Sequence, residues 1–190
     1  MTLHTIILGS ETDFAGWRDA ARALALANVP PEHITWTVKG RAAQLFEPTS
    51  LPPADPDRTF TVPAAFVDLA SIAILNRNPE RFARLYRLLW RLRDTPRLIE
   101  DATDPDVAIL QKFAREVRRD EHKMHAFVRF RELGRGKEAR FVAWFEPEHH
   151  IVELAAPFFA RRFADMPWSI LTPERCVHLD GRDTDFTEGA

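Results

Sequence analysis

Two long amphipathic patterns, each opened by a proline, occupy the middle of the 190-residue chain. The first begins at Pro79 and runs to about Arg93, and the second begins at Pro105. The apolar positions of the second recur at helical spacing: Val107, Leu110, Ala114, Val117 and Met124. Because such stripes must be buried to stabilise a helix, this part of the chain must pack against other elements.

Strand-like segments flank the helices on both sides. A strand–helix–strand pattern fills about the first 40 residues, and the proline-rich residues 47–58 predict an irregular loop. After the helices, two antiparallel hairpins are predicted, 127–132 with 141–146 and 168–171 with 176–179, with a helix over 151–163 between them. The fold class is therefore α+β, a small mixed or antiparallel sheet with a C-terminal ββ-α-ββ unit packed against several helices.

The length fits one domain, which we expect over residues 1–181. It would contain an N-terminal subregion, 1–62, and a helical insert, 63–125. Residues 182–190 are polar and acidic, so we expect a linker-like tail.

Charge is distributed unevenly along the chain, although the net charge is only −2. Residues 80–140 carry 16 basic and 11 acidic side chains, net +5, whereas residues 141–190 carry 4 basic and 9 acidic, net −5. The balance of the whole chain does not indicate a nucleic-acid binder, but the central block can attract phosphate locally.

Several classes of site are excluded or not expected. Cys176 is the single cysteine, so an intrachain disulfide or a cysteine-cluster metal site cannot form. No glycine-rich phosphate loop or dinucleotide motif is present, and we expect neither a cofactor nor a metal ion. No stretch has the length of a membrane span, and the N-terminus lacks a basic leader, so we expect a cytoplasmic protein without membrane contact.

Candidate catalytic groups cluster at the end of the second long helix. Helical spacing puts Glu121 on the stripe of Val117 and Met124, where a carboxylate needs a partner or must become neutral. Glu121 is then either a tuned acid, with His122 or His149 as its acid–base partner, or one half of a structural ion pair. The histidines otherwise suit capping or surface positions.

Cations and aromatics alternate in the first hairpin. If Arg131 pairs with Arg140, Phe127 lies opposite Trp144, and Arg129 shares their face. Such a face suits single-stranded nucleic acid, because cations hold the backbone while rings stack on bases. Alternatively, the aromatics pack under the helix between the hairpins, with carboxylates such as Glu146 neutralising the arginines.

Further cations extend this candidate nucleic-acid surface. They are Lys123, Arg118, Arg119, Arg161 and Arg162. A ridge of Arg81, Arg84, Arg87 and Arg91 could also lie along phosphates, although such ridges are more often solvated helix faces.

Five segments of the sequence also resemble a known family. The central and later motifs are EHKMHAFVRFRE, RFVAWFEPEHHIVELAAPFFARRF and PWSILTPERCVHLDG, and TDFAGWRDAARALALANVPPEHITW and NPERFARLYRLLWRLRDTPRLIEDATDPD support the same likeness. They are similar to a family of bacterial DNA-metabolism proteins of unassigned activity. Some members of that family resemble partners of a radical-SAM protein. Other members form the N-terminal part of fusions to UdgX-type uracil-DNA glycosylases. The glycosylase half is absent here, so the resemblance implies no uracil-excising activity for these residues.

Three functions remain open from the sequence. The leading one is a DNA-repair accessory domain that binds DNA, single- or double-stranded, and works with a glycosylase-like domain or a radical-SAM partner. The second is a nucleic-acid-processing enzyme that uses Glu121, His122 and His149. The third is a protein–protein docking domain without DNA affinity, for which the arginine ridge or the acidic C-terminal segment would serve.

Overall fold

A computed structural model describes residues 3–40, 59–134, 136, 139–181 and 183–190. The contacts divide the chain into two compact units, Met1–Arg115 and Glu116–Ala190. This division falls inside a helix. No helix of the described residues is long and apolar enough to cross a membrane.

The first unit opens with a strand–helix–strand crossover. Strands β1 (His4–Leu8) and β2 (Ile34–Val38) pair in parallel, joined through α1 (Phe14–Leu26). Asp13 caps α1, because its carboxylate accepts the backbone N–H of Gly16 at 2.8 Å.

Helices form the rest of the first unit. They are α2 (Ala64–Ala73), α3 (Arg81–Leu92) and the first part of α4 (Pro105–Phe127), with a 3-10 turn at Pro96–Glu100. Their apolar faces bury a common core with α1 and β1, which confirms the helices predicted after Pro79 and Pro105. The core contains Trp17, Leu24, Phe66, Tyr86 and Leu110.

The arginine ridge of α3 is compensated by acids of the same unit. Arg81 is 1% exposed and binds Glu11, and Arg84 pairs with Glu80. Arg87 and Arg91 pair with carboxylates just before and inside the first turn of α4, Asp104 and Asp106. The ridge is thus an ion-pair network and not an open row of cations.

The second unit contains the end of α4, a second helix and a five-stranded sheet. Helix α5 is Val152–Arg162, and the strands are β3 (Arg131–Leu133), β4 (Arg140–Trp144), β5 (Trp168–Leu171), β6 (Arg175–Asp180) and β7 (Asp183–Glu188). They follow the order β3-β4-β5-β6-β7, with only β4 and β5 parallel, because α5 connects them as a crossover. This confirms the α+β class and the ββ-α-ββ order.

The C-terminal tail differs from the linker expected over 182–190. Residues Asp183–Glu188 pair with β6 along its whole length and add a fifth strand. Phe186, the single large apolar residue of this strand, lies opposite the buried Val177. The polar and acidic composition did not predict this strand, which backbone hydrogen bonds join to β6.

The two faces of this sheet have different surroundings. One face carries Trp168, which packs against Phe130 and Phe159 at ring distances of 5.8 and 6.2 Å. Because side chains alternate along a strand, the other face carries Arg131, Val142 and their cross-strand neighbours. We call this second surface the open face.

Candidate nucleic-acid interface

A cleft of about 500 Å³ lies on the open face where α4 meets the first two strands. It is lined by side chains from the helix end, β3, β4 and β5: Phe127, Arg129, Arg131, Leu133, Val142, Ala143, Trp144 and Leu171. Four residues predicted from the hairpin pattern, Phe127, Arg129, Arg131 and Trp144, therefore line one cleft.

Large apolar side chains are unusually exposed in this cleft. Phe127 is 68% exposed, Leu133 56% and Trp144 51%. These are three of the five large hydrophobic residues that are exposed among the described residues. Exposed apolar side chains gathered with polar groups mark an interaction site more often than apolar residues scattered singly.

Arg129 is positioned by the end of helix α4. Its Nη1 donates to the backbone carbonyls of Ala126 and Val128 at 2.8 and 2.9 Å. A cation here stabilises the negative end of the helix dipole and satisfies a terminal carbonyl. Since a guanidinium has five N–H donors, the Nε and Nη2 groups keep donors for a ligand.

Arg131 and Arg129 have no carboxylate partner within the described part of the chain. Glu146, the expected neutralising acid, accepts a hydrogen bond from Trp144 Nε1 at 2.9 Å. That bond orients the indole ring at the cleft. The cleft thus combines two uncompensated cations with two exposed aromatic rings.

The hairpin register differs from the expected one by two residues. Arg131 lies opposite Val142, and Leu133 lies opposite Arg140, so the expected Arg131–Arg140 pair was wrong. The structure thereby avoids two like charges directly opposite each other. A shift of two preserves the face of every side chain, so Arg131, Arg140 and Trp144 still share the open face. Phe127 reaches the cleft from the end of α4, not from a strand.

Other predicted cations lie outside the cleft or are compensated. Lys123 Nζ lies 2.5 Å from Glu148, and this hydrogen bond lowers the pKa of the Glu148 carboxyl. Arg140 lies 3.5 Å from Asp180. Arg161 lines a different cleft with Asp183, and the Arg162 guanidinium lies 5.6 Å from the Phe163 ring centre.

Arg118 and Arg119 are exposed on α4 and do not line the cleft. They stay in the second unit as surface cations. Of the nine residues predicted to bind nucleic acid, only Arg129, Arg131 and Trp144 line this cleft.

The buried carboxylate of α4 is Asp120 and not Glu121. Asp120 is 2% exposed, and its Oδ2 accepts the backbone N–H of His149 at 2.8 Å. Burial raises the pKa of the Asp120 carboxyl. Glu121 is half-buried, so its prediction as the core-facing acid was wrong by one position. The spacing of Val117, Asp120 and Met124 also fits a helical stripe and could have identified it.

The histidines occupy separate environments. His122 is exposed, whereas the His125 ring stacks on Phe158 at 4.0 Å, and burial lowers the pKa of His125. His150 is nearly buried, with its Nδ1 3.0 Å from Glu174. None of Glu121, His122 and His149 lines the cleft, and the described residues contain no group of three potential metal ligands.

Residues 79–185, more than half of the chain, match the family DUF4130, a domain of unknown function. The chain belongs to this family. The matched DUF4130 region contains α3, α4 and all of the cleft residues. No curated protein and no solved structure matches the chain.

Proposed function

We propose that this DUF4130 protein binds single-stranded DNA in the cleft of the open face. The observation that carries the proposal is the combination of exposed Phe127 and Trp144 with the uncompensated Arg129 and Arg131. Aromatic rings stack on bases, and guanidinium groups contact the phosphates between them. Each stacked base contributes about 1–3 kcal/mol to binding.

Charge and shape favour a single strand over a duplex. The faces of paired bases are already stacked inside a duplex, so Phe127 and Trp144 have access only to unpaired ones. Two cations, Arg129 and Arg131, line the cleft, and the same face carries Asp180 on β6 and Asp185 on β7. A long duplex would bring additional phosphates near these acids, whereas a short single strand need not.

The family likeness suggests a setting for this activity. We propose a cytoplasmic DNA-repair role in which the domain holds an unpaired segment for a partner. The partner would be a UdgX-type uracil-DNA glycosylase domain or a radical-SAM protein. The stacking and phosphate-contacting groups of the cleft fit such an accessory, DNA-holding role.

Binding is tested by fluorescence anisotropy with a labelled single-stranded oligonucleotide and the matching duplex. The single strand should bind more tightly, with an affinity that falls as salt increases. Arg131→Ala should weaken binding and reduce the slope of log K against log salt by about 0.7, the value for one phosphate contact with a single strand.

Arg118→Ala is the matched control, since Arg118 is an exposed cation of the same unit outside the cleft. It should leave affinity nearly unchanged. Equal losses in both variants would show attraction without a defined site. Absence of salt-sensitive binding to either DNA would reject the proposal and favour a docking domain.

A further inference from the structure

A row of directly opposed residues crosses all five strands of the open face. It consists of Arg131, Val142, Ser169, His178 and Asp185. Val142 lines the cleft, and Ser169 lies opposite it on the next strand, about 4.8 Å away at ordinary strand spacing. Ser169 is therefore the residue that follows the cleft along this row.

The charges at the two ends of this row would orient a bound nucleotide. Arg131 attracts phosphate at one end, whereas Asp185 repels it at the other. A sugar–phosphate backbone would then lie on the β3 side. The edge of the base then points along the row, towards Ser169 and His178.

A chain of hydrogen bonds fixes the proton of Ser169. The tautomer of neutral His178 with its proton on Nε2 satisfies every contact of this chain, since the Thr187 hydroxyl then donates to the carbonyl of Glu188 at 3.2 Å and accepts from Nε2 at 3.0 Å. A neutral imidazole carries one N–H, which leaves Nδ1 as an acceptor. Ser169 Oγ lies 2.8 Å from Nδ1 and, with this tautomer, donates its single proton there.

Ser169 consequently offers a ligand only its lone pairs. Its side chain has no other hydrogen-bond partner in the described ranges. An oxygen of this kind accepts from an amino group and repels a carbonyl oxygen. We infer that Ser169 selects bases with an exocyclic amino group, such as cytosine, over bases with a carbonyl at that position, such as uracil. The inference rests on the proposed single-strand binding.

The test compares two octamers, of deoxycytidine and of deoxyuridine, which have nearly the same shape. Anisotropy at pH 8 should show tighter binding of the cytidine octamer by about 2- to 12-fold, the range for one neutral hydrogen bond. Ser169→Ala should abolish the preference and leave uridine-octamer affinity within about twofold. Ser169→Thr keeps the hydroxyl and should retain the preference.

A second variant tests the proton chain itself. His178→Phe removes the Nδ1 acceptor, which frees the Ser169 proton and should reduce the preference for cytidine. Ser71→Ala, which removes a hydroxyl in the first unit, should change neither affinity. Circular dichroism establishes that each variant is folded.

The outcomes separate the two proposals. Equal binding of both octamers by the unaltered protein, or a preference that survives in Ser169→Ala, overturns the selectivity inference and leaves single-strand binding intact. Failure to bind either octamer overturns the proposed function itself.

Discussion

Trp144 provides the most direct test of base stacking. Trp144→Leu keeps an apolar side chain in the cleft and removes the aromatic ring. An aromatic side chain buries about 150–250 Å², and Trp144 is 51% exposed, so a stacked base would cover roughly 100 Å². At about 25 cal/mol per Å² that area corresponds to about 2.5 kcal/mol. This lies within the 1–3 kcal/mol found for a stacked base on alanine substitution. Since leucine retains part of the buried apolar area, we expect a loss of about 1–2 kcal/mol, and affinity should fall about 5- to 30-fold.

Anisotropy titration with a single-stranded oligonucleotide measures this loss, and Trp144→Phe is the matched control. Phenylalanine retains a ring and should keep most of the affinity, although it loses the hydrogen bond to Glu146. Urea denaturation should show that both variants remain folded, since the ring is half-exposed and lies opposite the helix-covered face. Unchanged affinity in Trp144→Leu, with a large loss in Arg131→Ala, would refute stacking on this ring and leave only phosphate contacts.

Two further predictions concern stability. Because burial raises the pKa of Asp120, this residue contributes most to the free energy of unfolding below pH 3.8, and the contribution declines as pH rises through the higher folded-state pKa. Asp120→Asn should remove this decline when urea denaturation at pH 4 is compared with pH 7. Asp120→Ala should instead lose about 1–3 kcal/mol at pH 7, because the His149 N–H loses its acceptor, and equal stability of Ala and Asn would contradict this. Arg81→Met should lower the free energy of unfolding by about 3 kcal/mol in urea denaturation, because Arg81 is buried and binds Glu11 and three backbone carbonyls. Arg84→Met, which removes an exposed ion pair with Glu80, is the comparison. A smaller loss in Arg81→Met than in Arg84→Met would contradict the prediction.

Helices and the second hairpin were predictable because their signals are local. Prolines at 79 and 105 mark two helix starts, and the apolar stripes follow the 3.6-residue period. The second hairpin has a short turn at Thr172–Glu174, which fixes Trp168 opposite Leu179. In such cases sequence neighbours determine the structure.

The first hairpin and the tail were harder to predict because their signals are not local. The register of β3 depends on where α4 ends, and the helix continues to Phe127, four residues before the strand begins. Strand β7 has little apolar content, and its pairing depends on the exposed edge of β6. Neither dependence is visible in a short window of sequence.

The sequence predicted which residues of the candidate site share a face, but not the strand register or the buried acid. Alternation along the hairpin placed Arg131 and Trp144 on one face, and a two-residue error in register did not alter this. The buried acid was assigned to Glu121 because a one-residue change of helical phase is within the tolerance of a stripe. In the structure, burial and the contact with the His149 backbone distinguish Asp120 from Glu121.

The position of Arg129 links cleft occupancy to the fraying of α4. One guanidinium holds the last carbonyls of the helix and also faces the cleft. A phosphate bound to its remaining N–H groups would restrict the rotamers of that side chain and so favour the closed last turn. By reciprocity, any change that unwinds this turn would also weaken phosphate binding by Arg129.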